Sequence, residues 1–362
     1  MKILTVVGAR PQFIKTAAVS KVLRQNHEEI LVHTGQHYDY SMSDIFFDEM
    51  EIPKPNYNLG ISGGTHGKMT GNMLTAIEEV LLKEKPDLFL VYGDTNSTLA
   101  GALAAVKLHI PVCHVEAGNR LGSLTNPEEV NRICTDHVSS LLMCCTESAV
   151  EFLKKEGLTD RVFLVGDPMY DAFLYYLENS KRKDLQFIYG LDQERILMPN
   201  SYYYMTCHRE ENTNQEDHLF EILSAVNILD APVVYPVHPR NRDHIKILCD
   251  RHSFSNILLI QPVGYLQSIN LVQNAKKIIT DSGGVQREAF FAGVQCVTIF
   301  DYVMWPETMV DNQNQLAKPN KQDILVKLSA QMDTNKSYQP FGDGHSAQKI
   351  LKALEFHYGD TH

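Results

Sequence analysis

Residues 88–105 read "LFLVYGDTNSTLAGALAA", and this stretch decides the class of fold. The apolar run "LFLVY" has the length of a buried strand, and the alanine-rich run that follows has the composition of a helix. Between the two runs stand a carboxylate, Asp94, and a row of small hydroxyl and amide side chains. A buried strand that ends in an acid where a helix begins is typical of an α/β sheet, in which sites form at the carboxyl ends of the strands.

Apolar strands alternate with helical patterns along most of the chain. Such alternation predicts parallel sheets that are covered by helices on both faces. We therefore expect an α/β fold of two Rossmann-like parallel-sheet domains that face each other across a cleft. The other strand-like segments are "KILTVVG", "EEILVHTG", "PVCHVEAG", "SLLMCCT" and "VFLVGD", and then, from about residue 195, "SYYYMTCH", "PVVYPVH", "ILLIQP", "KIITDSGG" and "CVTIF".

The domain boundary is predicted at Pro168, which follows a strand and precedes a charged helical segment. The first domain then covers residues 1–168 and the second covers residues 169–362. The sequence leaves open whether the last helical segment, "GDGHSAQKILKALEFHYG", returns to the first domain.

The composition restricts the class of protein. The chain has 362 residues, 44% of them hydrophobic, which is enough for two globular domains with ordinary cores. A net charge of −11 and the lack of a basic block argue against nucleic-acid binding. No apolar run approaches the roughly 20 residues that span a bilayer, and "MKILTVVGAR" reads as a strand rather than a signal peptide. We therefore expect a cytoplasmic protein with no membrane partner.

The first strand ends in "VVGARPQFIK", which places Gly8, Arg10 and Lys15 at a strand-to-helix turn. A glycine turn, a guanidinium and a helix N-terminus together suit a phosphate. The stretch lacks both the Walker A pattern and the dinucleotide fingerprint G-x-G-x-x-G. A plain turn with a surface arginine is the alternative.

The stretch "DSGGVQREA" is a second strand-to-helix turn, in which Ser282, Gly283 and Gly284 follow Asp281. Two glycines let the backbone approach a ligand, and the free N–H groups of a helix start can bind a pyrophosphate. Glu288 lies one turn further along, where its carboxylate can accept two ribose hydroxyls. The alternative is a glycine-rich turn with a capping serine.

Two His-Arg clusters, "CHREENT" and "YPVHPRNR", follow strands of the second half. They contain His208 with Arg209, and His238 with Arg240, and we expect them to line an anion site. Ligand spacing such as H-E-x-x-H is absent, and the seven cysteines contain no C-x-x-C pair, so no metal site is predicted.

Three acids mark the ends of the central strands: Asp94, Glu116 in "CHVEAGNR", and Glu128 in "TNPEEVNR". Carboxylates that converge on one site repel each other, and this separates acid from base roles. For Glu128 the alternative is stabilisation of a helix N-terminus. A buried acid such as Glu116 needs a reason of its own.

Together and in this order, the motifs resemble the non-hydrolysing UDP-N-acetylglucosamine 2-epimerase family. The resemblance rests on "GARPQFIK", "TGQH", "GDTNSTLAGALAA", "HVEAG", "PEEVNR", "HREEN", "YPVH" and "TDSGGVQREA". It implies a GT-B-like fold, a UDP-sugar substrate and a homodimer, with no cofactor and no metal. It also implies interconversion of UDP-GlcNAc and UDP-ManNAc by elimination and re-addition of UDP, for cell-surface polysaccharide precursors.

The resemblance also assigns roles to individual positions. It makes Asp94, Glu116, Glu128 and His208 catalytic, with His208 close to the leaving diphosphate. It implies substrate binding by Arg10, Lys15, Arg209, Ser282, Gly283, Gly284 and Glu288, and part of an allosteric UDP-sugar site at Gln36, His37 and His238.

Departures from the family pattern leave the substrate open. The family's charged "RDxTERPE" is replaced by "FDYVMWPE" at residues 300–307, and "GGTHGKMTG" lacks an arginine of the activator site. A modified UDP-sugar, such as a 2,3-diacetamido uronate or a 6-deoxy sugar, is the alternative substrate. A hydrolysing 2-epimerase, a GT-B glycosyltransferase and a non-catalytic nucleotide-sugar sensor are the alternative functions.

Overall fold

The computed structural model describes residues 1–36, 47–180, 186–333 and 337–359. The chain forms two compact units, one of Met1–Tyr175 with Gln339–His362 and one of Tyr176–Tyr338. The sequence predicts the boundary at residue 168, whereas this division falls between Tyr175 and Tyr176. Pro168 begins a helix, Pro168–Ser180, and the division lies within that helix. No helix in the described ranges is both long enough and apolar enough to cross a membrane.

The first unit is built on a parallel sheet of seven strands in the order β3-β2-β1-β4-β5-β6-β7. Strands β4 and β5 are buried along their whole length, as expected for a sheet covered on both faces. The elements are β1 (Lys2–Val7), α1 (Arg10–Leu23), β2 (Glu28–His33), β3 (Tyr57–Asn58), α2 (His66–Glu84), β4 (Leu88–Tyr92), α3 (Asn96–Lys107), β5 (Val112–Ala117), α4 (Pro127–Val138), β6 (Leu141–Cys144), α5 (Glu147–Lys155), β7 (Val162–Leu164) and α6 (Pro168–Ser180).

The second unit repeats this plan with six parallel strands in the order β12-β11-β10-β13-β14-β15. The fold-class prediction of two Rossmann-like parallel-sheet domains is therefore confirmed. The elements are an antiparallel hairpin of β8 (Phe187–Tyr189) and β9 (Arg195–Leu197), then β10 (Tyr203–Thr206), α7 (Glu210–Thr213), α8 (Glu216–Val226), β11 (Val233–Pro236), α9 (Arg242–Arg251), β12 (Ile257–Ile260), α10 (Tyr265–Gln273), β13 (Ile278–Thr280), α11 (Gly283–Ala292), β14 (Cys296–Ile299), β15 (Asn314–Ala317) and α12 (Lys321–Ser329).

The strand order positions the sites. In both sheets the order in which successive strands are added reverses beside the first strand. The reversal lies between β1 and β4 in one sheet and between β10 and β13 in the other. At such a switch point the loops that leave the two neighbouring strands run to opposite faces, which opens a crevice at their carboxyl ends. The motifs that contain Asp94 and Asp281 both begin at these ends.

The final helix, α13 (Ser346–Tyr358), packs against α1 of the first unit. The carboxylate of Asp171 in α6 anchors its start, because it accepts hydrogen bonds from the backbone N–H groups of Ser346 at 3.0 Å and Ala347 at 2.8 Å. Two of the backbone N–H groups that have no partner within the helix are thereby satisfied. Thus the end of the chain belongs to the first unit.

Replacing Asp171 with Ala should lower the free energy of unfolding by about 1–2 kcal/mol, because two backbone donors lose their acceptor. Urea unfolding monitored by circular dichroism measures the change. Asp343→Ala is the control, since Asp343 is an exposed acid of the same segment whose ion pair with Lys349 stabilises little. Equal loss in both variants would contradict the anchoring role.

Candidate active site

Two of the predicted acids share one cation at the ends of β4 and β5. Arg132 in α4 places Nη2 at 2.5 Å from Oδ2 of Asp94 and at 3.3 Å from Oε1 of Glu116. Its Nη1 donates to the main-chain carbonyl of Glu116. Burial lowers the pKa of Arg132, but the charges of Asp94 and Glu116 more than offset this and raise the pKa above its ordinary value. The guanidinium therefore stays charged while it pairs with both carboxylates.

The backbone of Glu116 is strained so that its side chain reaches this cation. Its φ is +69°, a left-handed conformation that is uncommon for a residue other than glycine. The pairing of β5 with β6 shifts register between Val115 and Ala117, on either side of Glu116. Bulges of this kind redirect side chains beside active sites, and the strain is typical of functional positions.

Lys15 binds the other oxygen of Glu116. Its Nζ forms an ion pair with Oε2, and the lysine side chain is 2% exposed. The ammonium of Lys15 thus lies on a predicted catalytic carboxylate, and the predicted role of Lys15 in substrate binding stays a prediction. The two cations, Lys15 and Arg132, together balance the two acids.

Gln12 ties the turn after β1 to the turn after β4. Its Oε1 accepts from the N–H groups of Gly8 at 2.7 Å and Ala9 at 3.0 Å, and its Nε2 donates to the carbonyl of Tyr92 at 2.8 Å. The hydroxyl of Thr98 donates to the same carbonyl at 2.6 Å. Part of the hydroxyl row after Asp94 therefore braces the strand end rather than lining an open pocket.

The structure separates the two neighbouring acids of "PEEVNR". Glu128 is exposed in the first turn of α4, and within the described residues its carboxylate forms no ion pair. Glu129 is buried and accepts from the N–H groups of Leu121 and Gly122, both at 2.9 Å. Glu129 is therefore structural, whereas the catalytic role of Glu128 stays a prediction.

The residues predicted for a second ligand site are divided between the two units, and their shared role stays a prediction. Gln36 accepts through Oε1 from the hydroxyl of Ser97 at 2.7 Å, in the first unit. His238, in the second unit, accepts through Nδ1 from the N–H of Arg240 at 3.2 Å. His37 lies outside the described residues.

In the second unit, Asp281 holds the loop that carries His208. Its buried carboxylate accepts from the N–H groups of His208 and Arg209, both at 2.9 Å, and lies 3.1 Å from Nδ1 of His208. Burial raises the pKa of Asp281, but the charge and hydrogen bond of His208 and the further bonds from Arg209 and Asn212 outweigh it and lower the pKa to about 2. Asp281 is thus an ionised anchor that fixes the His-Arg cluster.

The apolar segment at residues 300–307 packs against this cluster. The guanidinium of Arg209 lies 4.6 Å from the ring centre of Phe300, and its Nη1 donates to the hydroxyl of Tyr302 at 2.5 Å. The Met304 side chain packs directly on Gly283, where a Cβ would come within 2.2 Å of the methionine sulfur. The residues that replace the family's charged pattern therefore contact two predicted substrate-binding positions.

The predicted phosphate loop forms the start of α11. Ser282 is its N-cap, and its hydroxyl accepts from the N–H of Val285 at 3.4 Å. Gly283 and Gly284 occupy the first two helical positions, whose N–H groups have no carbonyl partner within a helix. Glu288 is buried further along the same helix. This helix start offers N–H donors that suit an anion, and its role in substrate binding stays a prediction.

One group of potential metal ligands occurs among the described residues. Single ligand atoms of Glu116, Cys145 and Asp167 lie within 4.8 Å of one another, and all three residues are buried. Both oxygens of Glu116 already face a cation, Lys15 or Arg132. We therefore assign no metal to this group.

Sequence reasoning missed two residues of these sites. Arg132 lies 16 residues after Glu116 on a helix. Apart from its spacing from Glu128, nothing in the sequence distinguishes it from a surface arginine. Asp281 was noted as a strand end, but its bonds to His208 and Arg209 join positions more than 70 residues apart. An arginine one helical turn after the predicted acid Glu128 was the available signal for Arg132.

Replacing Asp281 with Asn should lower the free energy of unfolding by about 2 kcal/mol at neutral pH. The folded-state pKa, about 2, lies below the ordinary 3.8, so ionised Asp281 stabilises the fold above pH 3.8 and this contribution is lost as the pH falls towards 2. Urea unfolding of both proteins at a series of pH values measures the difference. Asp301→Asn, at an exposed acid of the same unit, is the control. A difference that does not shrink in acid would contradict the assignment.

Comparisons with known proteins identify the family. The sequence pattern of the family described as "UDP-N-acetylglucosamine 2-epimerase" matches residues 21–355. A Methanococcus maripaludis protein named UDP-N-acetylglucosamine 2-epimerase homolog is 49% identical over 98% of this chain and 99% of its own length. The UDP-2,3-diacetamido-2,3-dideoxy-D-glucuronate 2-epimerase of Pseudomonas aeruginosa is 46% identical over 98% of this chain and 99% of its own. The crystal structure of Methanocaldococcus jannaschii UDP-GlcNAc 2-epimerase in complex with UDP-GlcNAc and UDP superimposes with a TM-score of 0.88, at 38% identity, and the match covers 98% of this chain and 100% of that one. The chain therefore belongs to the UDP-N-acetylglucosamine 2-epimerase family.

Proposed function

We propose that the protein is a non-hydrolysing epimerase that interconverts UDP-GlcNAc and UDP-ManNAc. The observation that carries the proposal is the pair of carboxylates, Asp94 and Glu116, on the single guanidinium of Arg132. An epimerase needs two proton-transfer groups, because a proton leaves one face of C-2 and another arrives on the opposite face.

The reaction balances without a redox cofactor. A carboxylate removes the proton from C-2 while the bond from C-1 to the β-phosphate oxygen breaks, and that electron pair leaves with UDP. The electrons of the broken C–H bond form a double bond between C-1 and C-2, which gives a 2-acetamidoglucal. A second acid, which has taken up a proton from solvent, then protonates C-2 from the other face with the electrons of the double bond, and the UDP oxygen bonds again to C-1. The first carboxylate releases its proton to solvent.

The charge of the first unit supports this chemistry. The cations Lys15 and Arg132 pair with the carboxylates of Glu116 and Asp94, so two acids can lie at one site without a net negative charge. Asp94 keeps 31% of its side chain exposed, whereas Glu116 keeps 6%. In this proposal both act as acid/base groups, Glu128 is a third candidate, and Arg10 stabilises the leaving diphosphate.

The second unit supplies groups that suit UDP. The start of α11, with Ser282, Gly283 and Gly284, offers N–H donors to the diphosphate, and Arg209 and His208 add cationic groups. The buried carboxylate of Glu288 accepts the ribose hydroxyls. Stabilisation of departing UDP is the largest demand of the elimination step.

A second candidate substrate is the UDP-activated 2,3-diacetamido-2,3-dideoxyglucuronate. The relative named for that sugar is 46% identical over 98% of this chain. The M. jannaschii enzyme, whose structure contains UDP-GlcNAc and UDP, is 38% identical. The apolar segment with Phe300 and Tyr302 is the feature of this chain that sets it apart from the charged family pattern.

Nuclear magnetic resonance during turnover tests the function. With UDP-GlcNAc and a chelator, and without NAD, we expect UDP-ManNAc to accumulate without a matching amount of free sugar or free UDP. Release of UDP and N-acetylmannosamine would favour the hydrolysing alternative. Turnover of the diacetamido uronate alone would favour the second substrate. Absence of reaction with both sugars would overturn the proposal.

Variants at two buried acids separate chemistry from binding. Glu116→Gln should lower kcat by about 100-fold or more and leave UDP affinity nearly unchanged, because a proton-transfer group acts mainly on the barrier. Glu288→Ala should weaken UDP binding by about 1.5–3 kcal/mol, through the loss of a charged hydrogen bond. Product formation and calorimetric titration with UDP measure the two effects.

Glu151→Gln, at an exposed acid of α5, is the matched control and should change neither quantity. Glu128→Gln is measured beside it, and its predicted role requires a fall in kcat. Normal turnover of Glu116→Gln at saturation, with weaker UDP binding, would show that the roles are wrongly assigned.

A further inference from the structure

His114 lies in β5, two residues before Glu116, and its ring is buried. Its Nδ1 is 2.7 Å from Oδ1 of Asp136, and its Nε2 is 2.6 Å from the carbonyl oxygen of Gly93. The side chains of His114 and Asp136 have no exposed surface. Gly93 directly precedes Asp94 in the chain.

The partners of the two ring nitrogens constrain where the ring carries hydrogens. A carbonyl oxygen offers only lone pairs, so Nε2 must carry a proton to bond Gly93. The other oxygen of Asp136 accepts from Arg120 Nη1 at 2.7 Å and from the N–H of Gly118 at 3.1 Å, which favours an ionised carboxylate. With an ionised Asp136, Nδ1 must donate as well, which only an imidazolium can do.

The same carboxylate joins two strand ends. Through His114 it reaches the carbonyl of Gly93, next to Asp94 at the end of β4. Through its own oxygen it holds the N–H of Gly118, two residues after Glu116 in β5. These four groups act as one clamp of hydrogen bonds in a dry core, where a lost partner is costly.

We propose that His114 is a positioning residue whose hydrogen bonds to Asp136 and to the carbonyl of Gly93 fix the separation of the Asp94 and Glu116 carboxylates. The inference rests on the epimerase function proposed above. Two groups that transfer protons to opposite faces of one carbon must be held to a fraction of an ångström. A displacement of about 1 Å can cost on the order of 100-fold in rate.

Two variants of Asp136 separate the clamp from its charge. In Asp136→Asn the amide can donate to Nδ1 of a neutral His114, while its oxygen still accepts from Gly118 and Arg120. Every hydrogen bond of the clamp is then kept and only the charges are lost. Asp136→Ala removes the clamp and leaves the ring without its partner.

Steady-state kinetics and UDP titration compare these variants with the wild type. We expect kcat of Asp136→Ala to fall by about 100-fold. KM and UDP affinity should stay within about threefold, while Asp136→Asn keeps kcat within about threefold. Glu156→Gln removes the other partner of Arg120 and should behave like the wild type. If Asp136→Ala does not fold, His114→Gln replaces it, with an expected fall in kcat of about tenfold.

Normal kcat in a folded Asp136→Ala would overturn the proposal, and so would an Asp136→Asn variant as slow as the alanine variant. Nitrogen-15 spectra of histidine-labelled protein test the charge directly. They should show two protonated nitrogens for His114 in the wild type and one in Asp136→Asn. A single protonated nitrogen in the wild type would overturn the imidazolium. Inactivity of the wild type towards both UDP-sugars would refute the epimerase function instead, and the spectra would still report on the ring.

Discussion

One guanidinium group, that of Arg132, holds together the part of the molecule on which the chemistry depends. Two carboxylates at neighbouring strand ends would repel each other, and the repulsion would raise the pKa of one of them. Arg132 bonds both Asp94 and Glu116, and Lys15 pairs with the remaining oxygen of Glu116. Two positive and two negative groups thus balance within a buried site. The two carboxylates can therefore lie close together at one site.

The backbone is arranged around this requirement. Glu116 adopts a left-handed conformation inside a strand, and the register of the sheet shifts beside it. Such a conformation costs of order 1–3 kcal/mol, which the fully buried strands on either side offset. Gly93 and Gly118 also have positive φ, so both strand ends that present the acids turn sharply. The clamp of His114 and Asp136 then holds these turns through the carbonyl of Gly93 and the N–H of Gly118.

The sequence predicted the fold class, and it predicted Asp94 and Glu116 as site residues, because strand-to-helix transitions reveal the carboxyl ends of a parallel sheet. It did not predict the strand β15, because its sequence, "NQLA", begins with two polar residues and contains no apolar run of strand length. It also missed Arg132 and the anchoring role of Asp281, since their partners are distant in the chain. Lys15 was placed by analogy on a diphosphate, but its ion pair with Glu116 depends on how α1 packs. Long-range pairing of charges is what local patterns do not contain.

The fate of the hydrogen at C-2 tests the central claim most directly, that two carboxylates exchange protons at this carbon. UDP-GlcNAc is incubated with the enzyme in deuterated water, and the first UDP-ManNAc formed is analysed by mass spectrometry. The account predicts one deuterium at C-2 in essentially every product molecule, since the proton that returns comes from a group equilibrated with solvent. Product that keeps its original hydrogen at C-2 would contradict proton exchange by the two carboxylates.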